Sequence, residues 1–109
     1  MQKGFYPAEP TNLAVDFRAL DLYSTEEQME ALHAALDEIK AGNYRGARPP
    51  DKSYEPAVWG EDLFPFSWAS KYFGRDMYVK FCLDKIDEGD FVLYIFSLHE
   101  DRPGKGRRK

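Results

Sequence analysis

The sequence predicts one α+β domain, in which a small antiparallel sheet of three to four strands packs against one long amphipathic helix. A β-rich stretch, Met77 to Leu98, is divided by a short acidic turn, which is typical of a hairpin. The stretch from Ser24 to Ala41 carries apolar residues at helical spacing. A chain of 109 residues is long enough to bury its own core. We therefore expect residues 1–109 to form a single domain.

The N-terminal part of the chain contains glycine and proline at short intervals. Gly4, Pro7 and Pro10 predict an irregular arm over residues 1–12. The following segment alternates apolar and polar side chains, which is typical of a half-buried strand. Its apolar members are Leu13, Val15 and Phe17. We expect this strand to lie at an edge of the sheet.

A helix is predicted from Ser24 or Thr25 to about Ala41. Both possible start residues begin a capping-box pattern, with Glu or Gln three residues later. The apolar stripe of the helix consists of Met29, Leu32, Leu36 and Ile39. Gly42 is a natural residue to follow the helix end. His33 lies at the margin of the stripe, where we expect a structural or solvated role.

From Gly42 to Pro65 the apolar residues follow neither the helical nor the strand periodicity. Its four prolines exclude regular ladders, yet it is too rich in aromatic residues for a disordered linker. Two interpretations remain open. In one, Trp59 and Phe64 cover an end of the core. In the other, the loop is a recognition surface whose aromatic rings stack on bases. The basic side chains of that surface would be Arg45, Arg48 and Lys52.

The predicted hairpin turns between Asp87 and Asp90, where Gly89 supplies a positive φ. Counting outward from this turn gives three further pairs: Cys82 with Ile95, Lys80 with Ser97, and Tyr78 with His99. Alternation then assigns one wholly apolar face to the core. Its members are Met77, Val79, Phe81, Leu83, Val92, Tyr94, Phe96 and Leu98. The other face is apolar near the turn and polar at its far end.

A third strand is predicted before the hairpin, joined to it by a two-residue turn at Gly74 and Arg75. The pairs that follow from this turn are Trp68 with Phe81, Tyr72 with Met77, and Lys71 with Tyr78. Trp68 therefore belongs to the predicted core face. Lys71 belongs to the polar face.

Charge is distributed unevenly along the chain. Residues 1–101 carry 10 Lys and Arg against 19 Asp and Glu, whereas residues 102–109 carry 5 basic residues and no acidic one. Broad nucleic-acid binding depends on neutralising phosphates, so we expect any RNA site on this acidic body to be local. Residues 102–109 are expected to be a flexible, solubilising tail or an arm that contacts phosphates.

Cys82 is the only cysteine, which excludes an internal disulfide and a cysteine-based zinc site and favours a reducing compartment. The sequence contains no apolar run typical of a signal peptide or a membrane span, so a cytoplasmic protein is expected. It contains no phosphate-binding glycine loop and no paired histidines. The acidic turn lacks the ligand spacing of a calcium loop. We therefore expect no cofactor and no metal.

The polar end of the sheet is the candidate catalytic site. The predicted pairs bring together four side chains suited to phosphodiester chemistry: Lys71, Tyr78, Lys80 and His99. Lysines stabilise charge on phosphate oxygens, while tyrosine, lysine or histidine serves as general acid or base. Such a set cleaves RNA without a metal by activating the 2′-hydroxyl. The expected RNA-binding residues are Arg75, Arg102, Arg45 and Arg48. The alternative is an ordinary solvated sheet face.

Two parts of the sequence resemble bacterial toxins of the RelE/ParE superfamily. MYVKF and FVLYIFSLHED are similar to the last two strands of MqsR-type ribonucleases, and STEEQMEALHAALDEIKAG is similar to an early helix of YafO-type toxins. The resemblance covers residues 24–42 and 67–101. It implies an N-terminal strand or helix pair, then a curved antiparallel sheet whose basic residues and tyrosine cleave RNA. The matching positions are Lys71, Tyr78, Lys80 and Arg102.

Three functional hypotheses follow. The first is a metal-independent endoribonuclease of a toxin–antitoxin pair, with RNA or the ribosome as target and a cognate antitoxin as partner. The second is a non-enzymatic acidic protein, such as a DNA-mimicking or anti-defence inhibitor from a phage or mobile element, that occupies a basic nucleic-acid-binding protein. Its expected contact residues are Tyr54, Trp59 and Phe64. The third is a structural domain or subunit. None involves a membrane.

Overall fold

The computed structural model describes residues 2–8, 10–87 and 89–101. It is an α+β fold with two helices, α1 (Pro10–Ala19) and α2 (Thr25–Glu38). Its four strands are β1 (Gln2–Pro7), β2 (Leu63–Ser70), β3 (Arg75–Asp87) and β4 (Asp90–Glu100). Neither helix is long and apolar enough to cross a membrane, and the same holds throughout the described ranges.

The sheet is mixed rather than wholly antiparallel. Its strand order is β1-β4-β3-β2, with β1 parallel to β4 and the other neighbours antiparallel. Both helices pack on one face, which we call the helix side, and we call the opposite face the back. The predicted α+β class is confirmed. The prediction of one helix is corrected by the second helix, α1. The prediction of an antiparallel sheet is corrected by β1, which pairs in parallel.

The predicted irregular arm is wrong over most of its length, because Gln2–Pro7 forms the edge strand β1. This strand pairs with β4 between Phe91 and Ile95. Proline is tolerated at the end of an edge strand, where its missing N–H breaks no ladder, so Pro7 does not prevent pairing. Phe5 also packs against the helix-side core.

Residues 13–17, predicted as a strand, belong to helix α1. Leu13 and Phe17 are 4% and 8% exposed, whereas Val15 is 52% exposed. A spacing of four residues brings two side chains to one face of a helix and also to one face of a strand, so alternation alone did not distinguish the two. Pro10 at the first helical position suits a helix start.

Helix α2 begins as predicted, with a reciprocal capping box. The Ser24 hydroxyl accepts from the backbone N–H of Glu27 at 3.1 Å, and the Glu27 carboxylate accepts from the backbone N–H of Ser24 at 3.1 Å. The predicted apolar stripe packs on the helix-side core. The helix ends at Glu38, earlier than predicted, because the next residue is already extended. Gly42 therefore lies in a separate 3-10 turn and does not cap the helix.

The carboxylate of Glu38 joins the end of α2 to the turn between β2 and β3. Its Oε1 accepts from Trp68 Nε1 at 2.7 Å and from Ser70 Oγ at 2.6 Å. Its Oε2 accepts from the backbone N–H groups of Lys71 and Tyr72 at 3.0 and 2.9 Å. Partial burial disfavours the charged carboxylate, but these four hydrogen bonds outweigh it and hold the pKa of Glu38 below its usual value.

The third strand, β2, is confirmed but its predicted register is wrong. The turn contains four residues, 71–74, and Ser70 pairs with Arg75. The backbone N–H of Gly74, which has a φ of 70°, closes this turn on the Ser70 carbonyl at 3.0 Å. The predicted pairs are replaced by Trp68 with Met77, Phe64 with Phe81, and Ser67 with Tyr78. Trp68 is nevertheless buried in the core, as predicted.

The hairpin of β3 and β4 is confirmed, including its pairs Asp87 with Asp90, Lys80 with Ser97, and Tyr78 with His99. The predicted pair of Cys82 with Ile95 is wrong, because Phe81 faces Ile95 and Cys82 faces Tyr94. Register shifts between Lys80 and Phe81 and between Lys85 and Asp87 compensate for each other. The first shift is a bulge that adds one residue to β4.

This bulge exchanges the faces of β4 on the turn side of Ser97. Leu93 and Ile95 belong to the helix-side core, contrary to prediction. Tyr94 and Phe96 pack on the back instead, and Val92 shares their face by alternation. The buried members of the helix-side core are Leu13, Phe17, Leu32, Ala35, Trp68, Met77, Val79, Phe81, Leu93, Ile95 and Leu98.

The long loop packs against the sheet, partly as predicted. Val58 is 2% exposed and forms a second, smaller core on the back of the sheet with Ala8, Cys82 and Phe96. Phe64 starts β2 and packs on the helix-side core, which agrees with its predicted role. Trp59 does not cover the core, since 66% of it is exposed.

Glu38→Gln should lower the free energy of unfolding by about 1–3 kcal/mol at about pH 7, because an amide places a donor against backbone N–H groups. Since the folded pKa of Glu38 lies below its usual 4.5, the carboxylate stabilises the fold above that pH and loses this effect as pH falls further. Urea denaturation followed by circular dichroism at several pH values measures both effects.

Asp37→Asn, a change at the exposed neighbouring residue, is the matched control and should leave stability nearly unchanged. A difference in the free energy of unfolding between wild type and Glu38→Gln that stays constant down to the lowest pH would contradict this role of the carboxylate.

Candidate functional site

Two of the four predicted catalytic residues are in contact at the far end of the sheet, and a third lies on the same face. Tyr78 and His99 face each other across β3 and β4, and their rings stack with centroids 5.0 Å apart and planes 23° apart. Lys80 lies two residues further along β3, on the same face as Tyr78. All three side chains are partly buried. We call this group the sheet-end cluster.

The imidazole of His99 has one nitrogen engaged and one available. Its Nδ1 lies 2.9 Å from the backbone carbonyl oxygen of Glu100. A carbonyl oxygen only accepts hydrogen bonds, so this contact requires a proton on Nδ1. In the neutral ring the lone pair then lies on Nε2, to which no described residue hydrogen-bonds. His99 is thus arranged to accept a proton at Nε2.

The hydroxyl of Tyr78 is held in its protonated form. Burial raises the pKa of Tyr78, and the negative charge of Asp101 raises it further. At neutral pH the phenol is therefore protonated, and its hydroxyl can donate a hydrogen bond.

Lys80 supplies the positive charge of the cluster. Its Nζ lies 5.4 Å from the ring centroid of Phe96, within the range of a cation–π contact. Phe96 is on the back only because of the bulge in β4, so the bulge provides the ring on which the ammonium rests. The ammonium is thereby kept close to the sheet.

Two other predicted basic residues, Lys71 and Arg75, lie apart from the cluster. Lys71 is exposed in the β2–β3 turn, where its backbone binds Glu38, and the predicted pairing with Tyr78 is wrong. Arg75 is exposed at the start of β3. Arg102 lies outside the described residues. The predicted catalytic role of Lys71 and the predicted RNA-binding roles of Arg75 and Arg102 remain predictions.

Asp16 is a neighbour of the cluster that the sequence interpretation missed. Its Oδ2 accepts from the backbone N–H of Leu98 at 2.9 Å, just beyond the end of β1. Burial raises the pKa of Asp16, although this hydrogen bond and the charge of His99 oppose the rise. Asp16 thus anchors α1 to the part of β4 that carries His99. It was missed because α1 was predicted as a strand.

The long loop carries a second candidate surface. Tyr54 and Trp59 are 77% and 66% exposed, and their rings meet edge to face with centroids 5.3 Å apart. Ser53 supports the segment, since its backbone N–H donates to the Glu61 carbonyl and its own carbonyl accepts from the Gly60 N–H, both at 2.9 Å. We call Tyr54 and Trp59 the loop aromatic pair.

The remaining predicted loop residues are elsewhere. Phe64 is partly buried, with its ring 6.0 Å from that of Phe81, so it is not part of the loop aromatic pair. The guanidinium of Arg48 lies 4.8 Å from the ring centroid of Tyr44, and Arg45 is exposed nearby. Lys52 forms an ion pair with Asp62. Within the described ranges, no three His, Cys, Asp or Glu side chains are grouped so as to hold a metal ion.

Comparisons with protein-family models, with curated proteins and with solved structures give no match for this chain. The geometry of the sheet-end cluster combines a proton acceptor, a protonated hydroxyl and a cation on one surface.

Cys82 is expected to be chemically inert in the folded protein. Burial raises the pKa of its thiol to about 11, and only the thiolate reacts with alkylating reagents. Iodoacetamide at about pH 8 should leave the native protein unmodified and should alkylate it fully in denaturant, as followed by mass spectrometry. Rapid alkylation of the native protein would contradict the burial of Cys82 behind Val58.

Proposed function

We propose that this chain is a metal-independent endoribonuclease and that the sheet-end cluster is its active site. The observation that carries the proposal is the position of His99: its Nδ1 donates to a backbone carbonyl, its ring stacks on that of Tyr78, and Lys80 lies two residues along β3 on the same face. Base, acid and phosphate-binding cation are the three groups that RNA cleavage by the 2′-hydroxyl requires.

In the proposed reaction, His99 Nε2 takes the proton of the ribose 2′-hydroxyl. The 2′-oxygen forms a bond to the adjacent phosphorus, and the bond from phosphorus to the 5′-oxygen breaks. Tyr78, whose raised pKa keeps its hydroxyl protonated, donates a proton to the departing oxygen. Lys80 stabilises the charge on the other phosphate oxygens. The products are a 2′,3′-cyclic phosphate and a 5′-hydroxyl.

The order of elements also supports this proposal. The helix pair α1 and α2 precedes three antiparallel strands, as the resemblance to RelE/ParE toxins implies, whereas the parallel strand β1 is an addition to that arrangement. The site face lies opposite the helices, so RNA reaches it without displacing the helix-side core. Under this proposal the protein acts in the cytoplasm on RNA, free or on the ribosome, and a cognate antitoxin restrains it.

His99→Ala, Tyr78→Phe and Lys80→Ala should each reduce RNA cleavage by about 10²–10⁴-fold, because each removes a proton-transfer group or the phosphate charge. The measurement is cleavage of a labelled RNA in the presence of EDTA, together with growth of bacteria expressing each variant. The wild type should arrest growth and the three variants should not.

His33→Ala is the matched control, since His33 is the other histidine of the chain and lies on α2 against Phe5. It should cleave RNA like the wild type. Cleavage that survives His99→Ala, or its loss with both histidine variants alike, would contradict the assignment.

A second candidate function is favoured by the loop aromatic pair. Exposed tyrosine and tryptophan side chains are typical anchors of protein interfaces. The acidic body, with 19 acidic against 10 basic residues over 1–101, would complement a basic nucleic-acid-binding partner. In this function the protein is an inhibitor, and the sheet-end cluster has no catalytic role.

For that function, Trp59→Ala should weaken binding of the basic partner by about 30-fold or more, since central aromatic anchors contribute about 2 kcal/mol. Tyr23→Ala, which removes an aromatic residue that is 68% exposed between the two helices, is the control and should leave binding unchanged. Calorimetry with the partner isolated by cross-linking measures both. Equal losses in the two variants would exclude a specific role for the loop aromatic pair.

A further inference from the structure

A pocket of about 410 Å³ lies where β1, α1 and α2 meet on the helix side of the sheet. Apolar side chains from these three elements and from the connection between the helices line it: Phe5, Leu13, Phe17, Leu22, Met29 and Leu32. The volume lies within the range typical of small-molecule sites, which are mostly apolar with a few placed polar groups. The sheet-end cluster lies on the opposite face, so this pocket is separate from the proposed active site.

The polar groups at the pocket differ in their availability. Gln28 Nε2 donates to the Leu22 carbonyl at 3.1 Å, and the Tyr23 hydroxyl donates to Asp21 at 3.1 Å. Arg18 is also among the residues that line the pocket, and no described residue accepts a hydrogen bond from its guanidinium or forms an ion pair with it. Arg18 is therefore the cation available to a bound molecule, and among the described residues no carboxylate lines the pocket.

We propose that this pocket binds a small amphiphile with an unbranched apolar body and a single carboxylate, of the medium-chain fatty-acid type. The apolar body occupies the space between Phe5, Leu13 and Met29. The carboxylate pairs with Arg18, whose planar guanidinium matches two carboxylate oxygens. Charge complementarity selects an anionic head group over a neutral or cationic one. The proposal does not depend on the proposed ribonuclease activity.

The test compares three probes of equal chain length: octanoate, octanol and octyltrimethylammonium. Each is titrated into the full-length protein, and amide chemical shifts in ¹H–¹⁵N spectra report the site and the dissociation constant. We expect saturable shifts at residues of α1, α2 and β1. Octanoate should bind about tenfold more tightly than octanol, since a hydrogen-bonded charge contributes about that factor. The cationic probe should bind most weakly.

Two variants separate the head-group contact from the apolar contact. Arg18→Gln should remove the preference for octanoate and leave octanol binding unchanged. Ala14→Phe should weaken octanoate and octanol alike, because Ala14 lines the pocket and the larger ring fills it. Arg45→Gln, at an exposed arginine of the long loop, is the control and should leave the dissociation constants of octanoate and octanol unchanged.

Non-saturable shifts, equal affinity for the three probes, or an octanoate preference that survives Arg18→Gln would each overturn the proposal. The comparison of Arg18→Gln with Arg45→Gln alters no buried side chain, so it remains decisive if Ala14→Phe fails to fold. RNA cleavage plays no part in the measurement, so its outcome is independent of the ribonuclease assignment.

Discussion

The carboxylate of Glu38 is the contact on which the arrangement of the sheet depends most. It gathers two side-chain donors and two backbone N–H groups at the β2–β3 turn, and it belongs to the last residue of α2. By binding the turn, it fixes the turn at four residues and pairs Ser70 with Arg75. That register places the buried Ser67 opposite Tyr78, on the strand pair next to the one that carries His99.

A second constraint acts on the other side of β3. The bulge in β4 lets Tyr78 face His99 while Ile95 and Leu93 still reach the helix-side core. It also places Phe96 on the back, beneath the ammonium of Lys80. The polar site and the apolar core are thus built from the same two strands. At the bulge the pairing of β3 with β4 shifts by one residue, and this shift lets both strands contribute side chains to the polar site and to the apolar core.

Contacts close in sequence were predictable, whereas distant ones were not. The capping box of α2 and the pair of Tyr78 with His99 follow from local signals, namely a three-residue spacing and a glycine turn. The register of β2 depends on Glu38, which is 32 residues from Ser70. Strand β1 is stabilised by parallel pairing with β4, at the other end of the chain. The site could therefore be predicted in part: Tyr78, Lys80 and His99 were found together, and Lys71 and Asp16 were misplaced.

The central claim is that His99 activates the ribose 2′-hydroxyl against the neighbouring phosphate. The chemistry of the RNA ends left by the purified protein in EDTA tests it most directly, as determined by mass spectrometry of the fragments. The account predicts 2′,3′-cyclic phosphates with 5′-hydroxyl ends. Fragments with 3′-hydroxyl and 5′-phosphate ends, or intact RNA, would contradict it.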